Sequence, residues 1–250
     1  IYSTVPFVGI FGLNEWGVRL PAAFWGILGV FGIYLLGKKL FNEKVGLFSA
    51  LFLALSPWHI QYSRASFEVT MLMTFIIFGT YFFVQGLTNK KLLLLSALVF
   101  TLTPYIYSTA AIFMPFLVVI LIFLFIKEIS SKASKISLIS VILVASIIIL
   151  PYVIQTLSGR SGERFSIISI FTNQVLQDKV TLAQKFQGDT SVGLERIFHN
   201  KPLIWVQVFT LNYLRAFSPE FIFTQGDPNF RHSIHEMGQM YYFELILLLI

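Results

Sequence analysis

The chain has 250 residues, 56% of them hydrophobic and only 12% charged, with a net charge of +6 and no cysteine. Ordinary soluble domains carry about twice that share of charge, so a water-soluble domain is excluded, and the absent thiols exclude disulfides, thiolate nucleophiles and Cys-ligated metals. The lysines sit beside the ends of apolar runs, where membrane topology puts them, so the positive balance does not point to nucleic acid.

In chain order, six complete apolar segments can be drawn: Val18 to Gly37, Lys44 to Ile60, Glu68 to Gly86, Leu92 to Pro104, Ser108 to Ile126 and Ser137 to Ile154. Their lengths approach the ~20 residues that a bilayer-spanning helix requires. Arg19 and Pro21 suit a first helical turn, and Pro57 and Pro104 fall where spans should end. One continuous helix from Leu92 to Ile126 would be ~50 Å long against a hydrocarbon core of ~30 Å, so two spans are expected there. A seventh span starts near Met240, and both chain ends read as truncated.

Charge gives the topology. The short loops on one side carry Lys38, Lys39, Lys44, Lys90, Lys91, Lys127, Lys132 and Lys135, whereas the opposite short loops carry only Arg19 and Arg64. The lysine side is expected to be cytoplasmic. The outer face then holds Asn14 to Arg19, Trp58 to Glu68, Pro104 to Tyr107 and a long segment. The expected organisation is a six-span region over 1–154, an extracytoplasmic loop of mixed structure over 155–239 and a truncated span over 240–250. Within the loop, Pro202 to Phe217 reads as a helix lying at the interface, with Trp205 and Tyr213 at headgroup level. The fold class is all-α, a polytopic membrane helix bundle.

Two outer segments could carry chemistry. In Ser56 to Glu68, polar and aromatic residues cluster around Tyr62, Arg64 and Glu68. If helical, Arg64 and Glu68 share one face, where the guanidinium could hold a phosphate while the carboxylate orients it or a sugar hydroxyl. The bland alternative is an interfacial ion pair in an aromatic belt. In Gly226 to Glu236, turn chemistry at Asp227-Pro228-Asn229 leads to Arg231 and His232, which would reach a lipid-linked phosphate or merely end a span in water. His232 and His235 lack the spacing of known zinc motifs, so no metal or other cofactor is expected. Tyr105, Tyr107 and Ser108 could contact a sugar or prenyl chain, or serve as interface anchors.

The run Gly12-Leu13-Asn14-Glu15-Trp16-Gly17-Val18-Arg19-Leu20-Pro21-Ala22-Ala23, followed by Ser56-Pro57 and Tyr62-Ser63-Arg64, resembles the GT-C glycosyltransferases. The closer likeness is to bacterial relatives of protein O-mannosyltransferases and of aminoarabinose lipid A transferases. The resemblance implies an enzyme of the plasma membrane that takes sugar from a polyprenyl-phosphate carrier and transfers it, on the extracytoplasmic face, to a lipid, glycan or protein acceptor. It places the acidic catalytic base in a first outer loop, upstream of Ile1, so no catalytic residue is assigned and the fragment itself is expected to be inactive. Donor-phosphate or substrate binding falls to Arg64, Glu68, Tyr62, Arg231 and His232. The rival classes are a lipid or solute transporter or flippase, and a non-catalytic membrane scaffold. A transporter would be favoured by intramembrane acids and related halves, neither of which the sequence offers.

Overall fold

The structure, a computed structural model, describes residues 2–132, 135–158, 201–229, 231–233 and 237–248. Most of the expected extracytoplasmic loop, including Asp189, lies outside the described residues, as do His235 and Glu236. Every regular element among the described residues is helical. They are α1 (Val5–Phe11), α2 (Glu15–Leu40), α3 (Glu43–Leu55), α4 (Pro57–Arg64), α5 (Glu68–Gly86) and α6 (Lys90–Ile106). After them come α7 (Ala110–Leu124), α8 (Ile126–Lys132), α9 (Lys135–Leu157), α10 (Lys201–Ala216), a π-helical turn at Glu220–Thr224, and α11 (Tyr242–Leu248).

Among the described residues, three helices are long and apolar enough to cross a membrane: Glu15–Leu40, Glu68–Gly86 and Leu138–Leu157. Ala110–Leu124 is a shorter apolar helix. The expected single span from Lys44 to Ile60 is instead broken. Pro57 has no amide proton to continue the ladder and restricts Ser56 to an extended conformation, so α3 stops at Leu55 and α4 starts afresh. The first long helix also begins earlier than Arg19 and Pro21 suggested. The Asn14 side chain caps the Gly17 amide at 3.0 Å, which starts α2 at Glu15 and puts Pro21 inside the helix. Helix α10 coincides with the segment assigned to the interface.

Contacts fix the directions of the helices. Gly37 meets Gly46, making α2 and α3 an antiparallel hairpin. Gly29 of α2 packs on Met73 and Thr74, and Gly32 on Ile77 and Phe78, so α2 and α5 run parallel. Small residues allow this close approach, and the buried Thr74 hydroxyl donates to the Trp25 carbonyl at 2.7 Å. Helix α6 returns along α5, with the Ser96 hydroxyl donating to the Gly79 carbonyl at 2.8 Å. The stretch from Leu92 to Ile126 is two helices separated by a turn at Tyr107 to Thr109, and Phe100 packs with Ala110, Met114 and Leu121 in the buried core.

These directions gather Lys38, Lys39, Lys44, Lys90, Lys91 and Lys127 at one end of the bundle. Arg19, α4 and the α6–α7 turn lie at the other. Because the chain has no native cysteine, single cysteines at Lys90 or Lys127 should label from one side of sealed vesicles and cysteines at Arg64 or Ser108 from the opposite side. Labelling of Ser108→Cys and Lys90→Cys from the same side would overturn this arrangement.

Tyr105 has a structural job that the sequence did not indicate. Its hydroxyl donates to the Ile148 carbonyl at 2.6 Å and accepts from the Tyr152 amide at 3.1 Å. It therefore stands in the position of one rung of the α9 ladder, next to Pro151, which supplies no amide of its own. This contact ties α6 to α9 at the end of the bundle that carries α4.

Candidate functional site

The site is built on α4. Its second residue, Trp58, presents one of the orphan amides of a helix start, and the Gln239 carbonyl accepts it at 3.4 Å. The segment around Gln239 is fixed in turn to the π-helical turn, with the Met240 amide donating to the Ile222 carbonyl at 2.8 Å. Phe52 of α3 meets Phe243 of α11 with ring centroids 6.2 Å apart. The C-terminal segment is thereby docked on α3 and α4, and Arg231 and His232 come against α4.

Asp227 organises that loop. Its Oδ1 accepts the Asn229 amide at 2.7 Å, its carbonyl accepts the Ser233 hydroxyl at 2.7 Å, and its Oδ2 lies 3.2 Å from His232 Nδ1. Asn229 repeats the device on Arg231, accepting its amide at 3.1 Å. The His232 ring stacks on Tyr62, with centroids 6.0 Å apart and planes at 24°, and meets the Phe67 ring edge-on at 5.3 Å.

Gln61 joins the two cationic segments. This nearly buried side chain accepts from Arg64 Nη2 at 3.0 Å and donates to the Arg231 carbonyl at 3.3 Å, across 170 positions of sequence. Among the described residues neither guanidinium has a carboxylate partner. Both side chains are exposed and retain hydrogen-bond donors for an anion. Burial pushes the Tyr62 phenol up, and the Asp227 charge and Tyr107 push it further in the same direction, so it stays neutral. His59, on the inward face of α4, is pushed down by burial against α2 and serves as a neutral packing group.

Four of the five residues singled out from the sequence, Tyr62, Arg64, Arg231 and His232, thus meet in one cluster. Glu68 does not share a helical face with Arg64. Helix α4 ends at Arg64, Ser66 takes a left-handed backbone with φ 61°, and α5 starts at Glu68. The Arg64–Glu68 ion pair is absent. Glu68 instead lines a separate cleft of about 620 Å³ with Thr4, Val8, Trp25, Phe67 and Met71, and Phe67 is the wall shared with the His232 cluster. Asp227 and Gln61 were missed as site residues. Asp227 was legible only as turn chemistry, and nothing in the local sequence marks Gln61 as a bridge.

The described residues form an all-α membrane helix bundle, and the family that the sequence matches makes it an integral-membrane glycosyltransferase of the GT-C type. Residues 4–154 match the family of dolichyl-phosphate-mannose-protein mannosyltransferases, and the chain belongs to that family. No curated protein sequence and no solved structure matches it. The chain is accordingly a membrane glycosyltransferase of the mannosyltransferase type.

Proposed function

We propose that the cluster on α4 binds the phosphate of a polyprenyl-phosphate-linked sugar on the extracytoplasmic face of the plasma membrane, and that the sugar passes from there to a lipid, glycan or protein acceptor. The observation that carries this reading is the Gln61 bridge, which ties the segment of Arg64 to that of Arg231 at the bundle end opposite the lysines, neither guanidinium having a carboxylate partner among the described residues. When the anomeric bond breaks, negative charge grows on the departing phosphate. Arg64, Arg231 and His232 are groups of the type that lower the energy of that charge at a membrane surface. Tyr62 forms the aromatic floor of the cluster. Glu68, in the adjoining cleft, is placed to accept hydrogen bonds from the hydroxyls of a sugar or acceptor. The acceptor hydroxyl loses its proton to a carboxylate base, which we assign to no residue of this chain.

The test is an assay of the complete protein in lipid nanodiscs with mannosyl polyprenyl phosphate as the probe. Release of polyprenyl phosphate with transfer of mannose supports the reading. Binding of the carrier with its movement between leaflets, and no cleavage of the sugar bond, would overturn it in favour of a flippase.

A further inference from the structure

Resting on the donor-site reading above, we infer that His232 is the general acid of the transfer and that Asp227 is its positioning residue. The imidazole is fixed on three sides: Tyr62 lies against its face, Phe67 against its edge, and the Asp227 carboxylate at Nδ1. Nε2 has no hydrogen-bond partner among the described residues. Holding Nδ1 on the Asp227 carboxylate sets the ring orientation and turns Nε2 away from it as the nitrogen that can hand on a proton. The Asp227 carboxylate is itself held by the Asn229 amide, so the pair cannot drift apart without opening the turn.

The reaction needs such a group. As the acceptor oxygen bonds to the anomeric carbon, the carbon–oxygen bond to phosphate breaks and its electron pair stays on the phosphate oxygen. The Nε2 proton passes to the phosphate group, which becomes a monoester whose second ionisation lies near pH ~6. The imidazole is left neutral against Asp227 and regains its proton from water, while the acceptor proton leaves with the base. A donor that changes charge near neutrality matches that leaving group.

Among the described residues, the titratable groups in contact with the ring are Asp227 from its own loop and Tyr62 from α4; Arg231 precedes it in the chain, Arg64 and Glu68 follow Tyr62 and Phe67, and Tyr107 from the α6–α7 turn acts on Tyr62.

The experiment measures single-turnover release of polyprenyl phosphate from mannosyl polyprenyl phosphate across pH, using the complete protein in nanodiscs. A group that acts protonated makes the rate fall as pH rises. His232→Gln should lose that alkaline limb and slow release by about 10²–10⁴-fold at neutral pH. Asp227→Asn keeps an oxygen for the Asn229 amide, and so the turn, but removes the charge; its alkaline limb should move to lower pH. An unchanged limb in both variants, with binding of bare polyprenyl phosphate still weakened by Arg64→Ala, would overturn the proton-transfer role and leave the donor site standing. Unchanged binding in Arg64→Ala would instead remove the donor site on which the inference rests.

Discussion

Replacing Arg64 with alanine should lower sugar transfer by the complete protein by about 10²–10³-fold, the loss typical of removing one donor aimed at developing negative charge. The side chain lies at the end of α4, packs into no core and is exposed. Among the described residues its one hydrogen bond runs to Gln61, whose amide keeps its second bond to the Arg231 carbonyl when Arg64 is gone. The substitution should therefore leave insertion and thermal stability close to wild type. Lysine at the same position restores charge without the planar fork and should recover only part of the rate. Full transfer by Arg64→Ala would return this residue to the role of a surface anchor.

A second large effect is expected far from any reacting atom, at Gly26→Leu. A side chain at Gly26 would run into Ser63 and crowd the His59 ring, because α4 is seated directly on this glycine of α2. Overpacking of this kind costs about 1–3 kcal/mol, and the bundle can relieve it by lifting α4. Lifting α4 carries Gln61, Tyr62 and Arg64 away from the loop that holds Arg231 and His232. A misplacement of 1 Å is enough to cost about 10²-fold in rate. The variant should thus lose transfer by that order and melt earlier. Gly26→Ala should fall between it and wild type. Normal transfer by Gly26→Leu would show that the seat of α4 does not position the site.

Much of this fold is legible in the sequence because the signals are repeated. Apolar runs of near-spanning length mark the helices, and lysines at alternate junctions mark one end of the bundle. Length alone divides Leu92 to Ile126 into two helices. Single residues acting through geometry were harder to read. Pro57 was legible as an end signal, yet α3 stops at Leu55, five residues before the end of the span drawn from hydropathy, because a missing amide outweighs the apolar character of the residues around it. The spacing of Arg64 and Glu68 fits a helical pair, but that inference assumes a continuous helix, and the left-handed Ser66 interrupts it.

Of the site, the cationic and aromatic residues were legible as types suited to phosphate at a membrane surface. Gln61 and Asp227 stayed hidden for one reason. Each matters through contacts made in three dimensions: Gln61 across 170 positions, and Asp227 through a turn that lays an imidazole on Tyr62.

The central claim is that Arg64 and Arg231 serve one phosphate, and a double-mutant cycle on the affinity of bare polyprenyl phosphate tests it most directly. Arg64→Ala and Arg231→Ala should each weaken binding about tenfold or more, the scale of a lost charge-assisted hydrogen bond. The double variant should lose less than the sum of the two, because both guanidiniums act on the same anion. Affinity unchanged in either single variant, or losses that add in full as at two independent sites, would contradict the shared donor site.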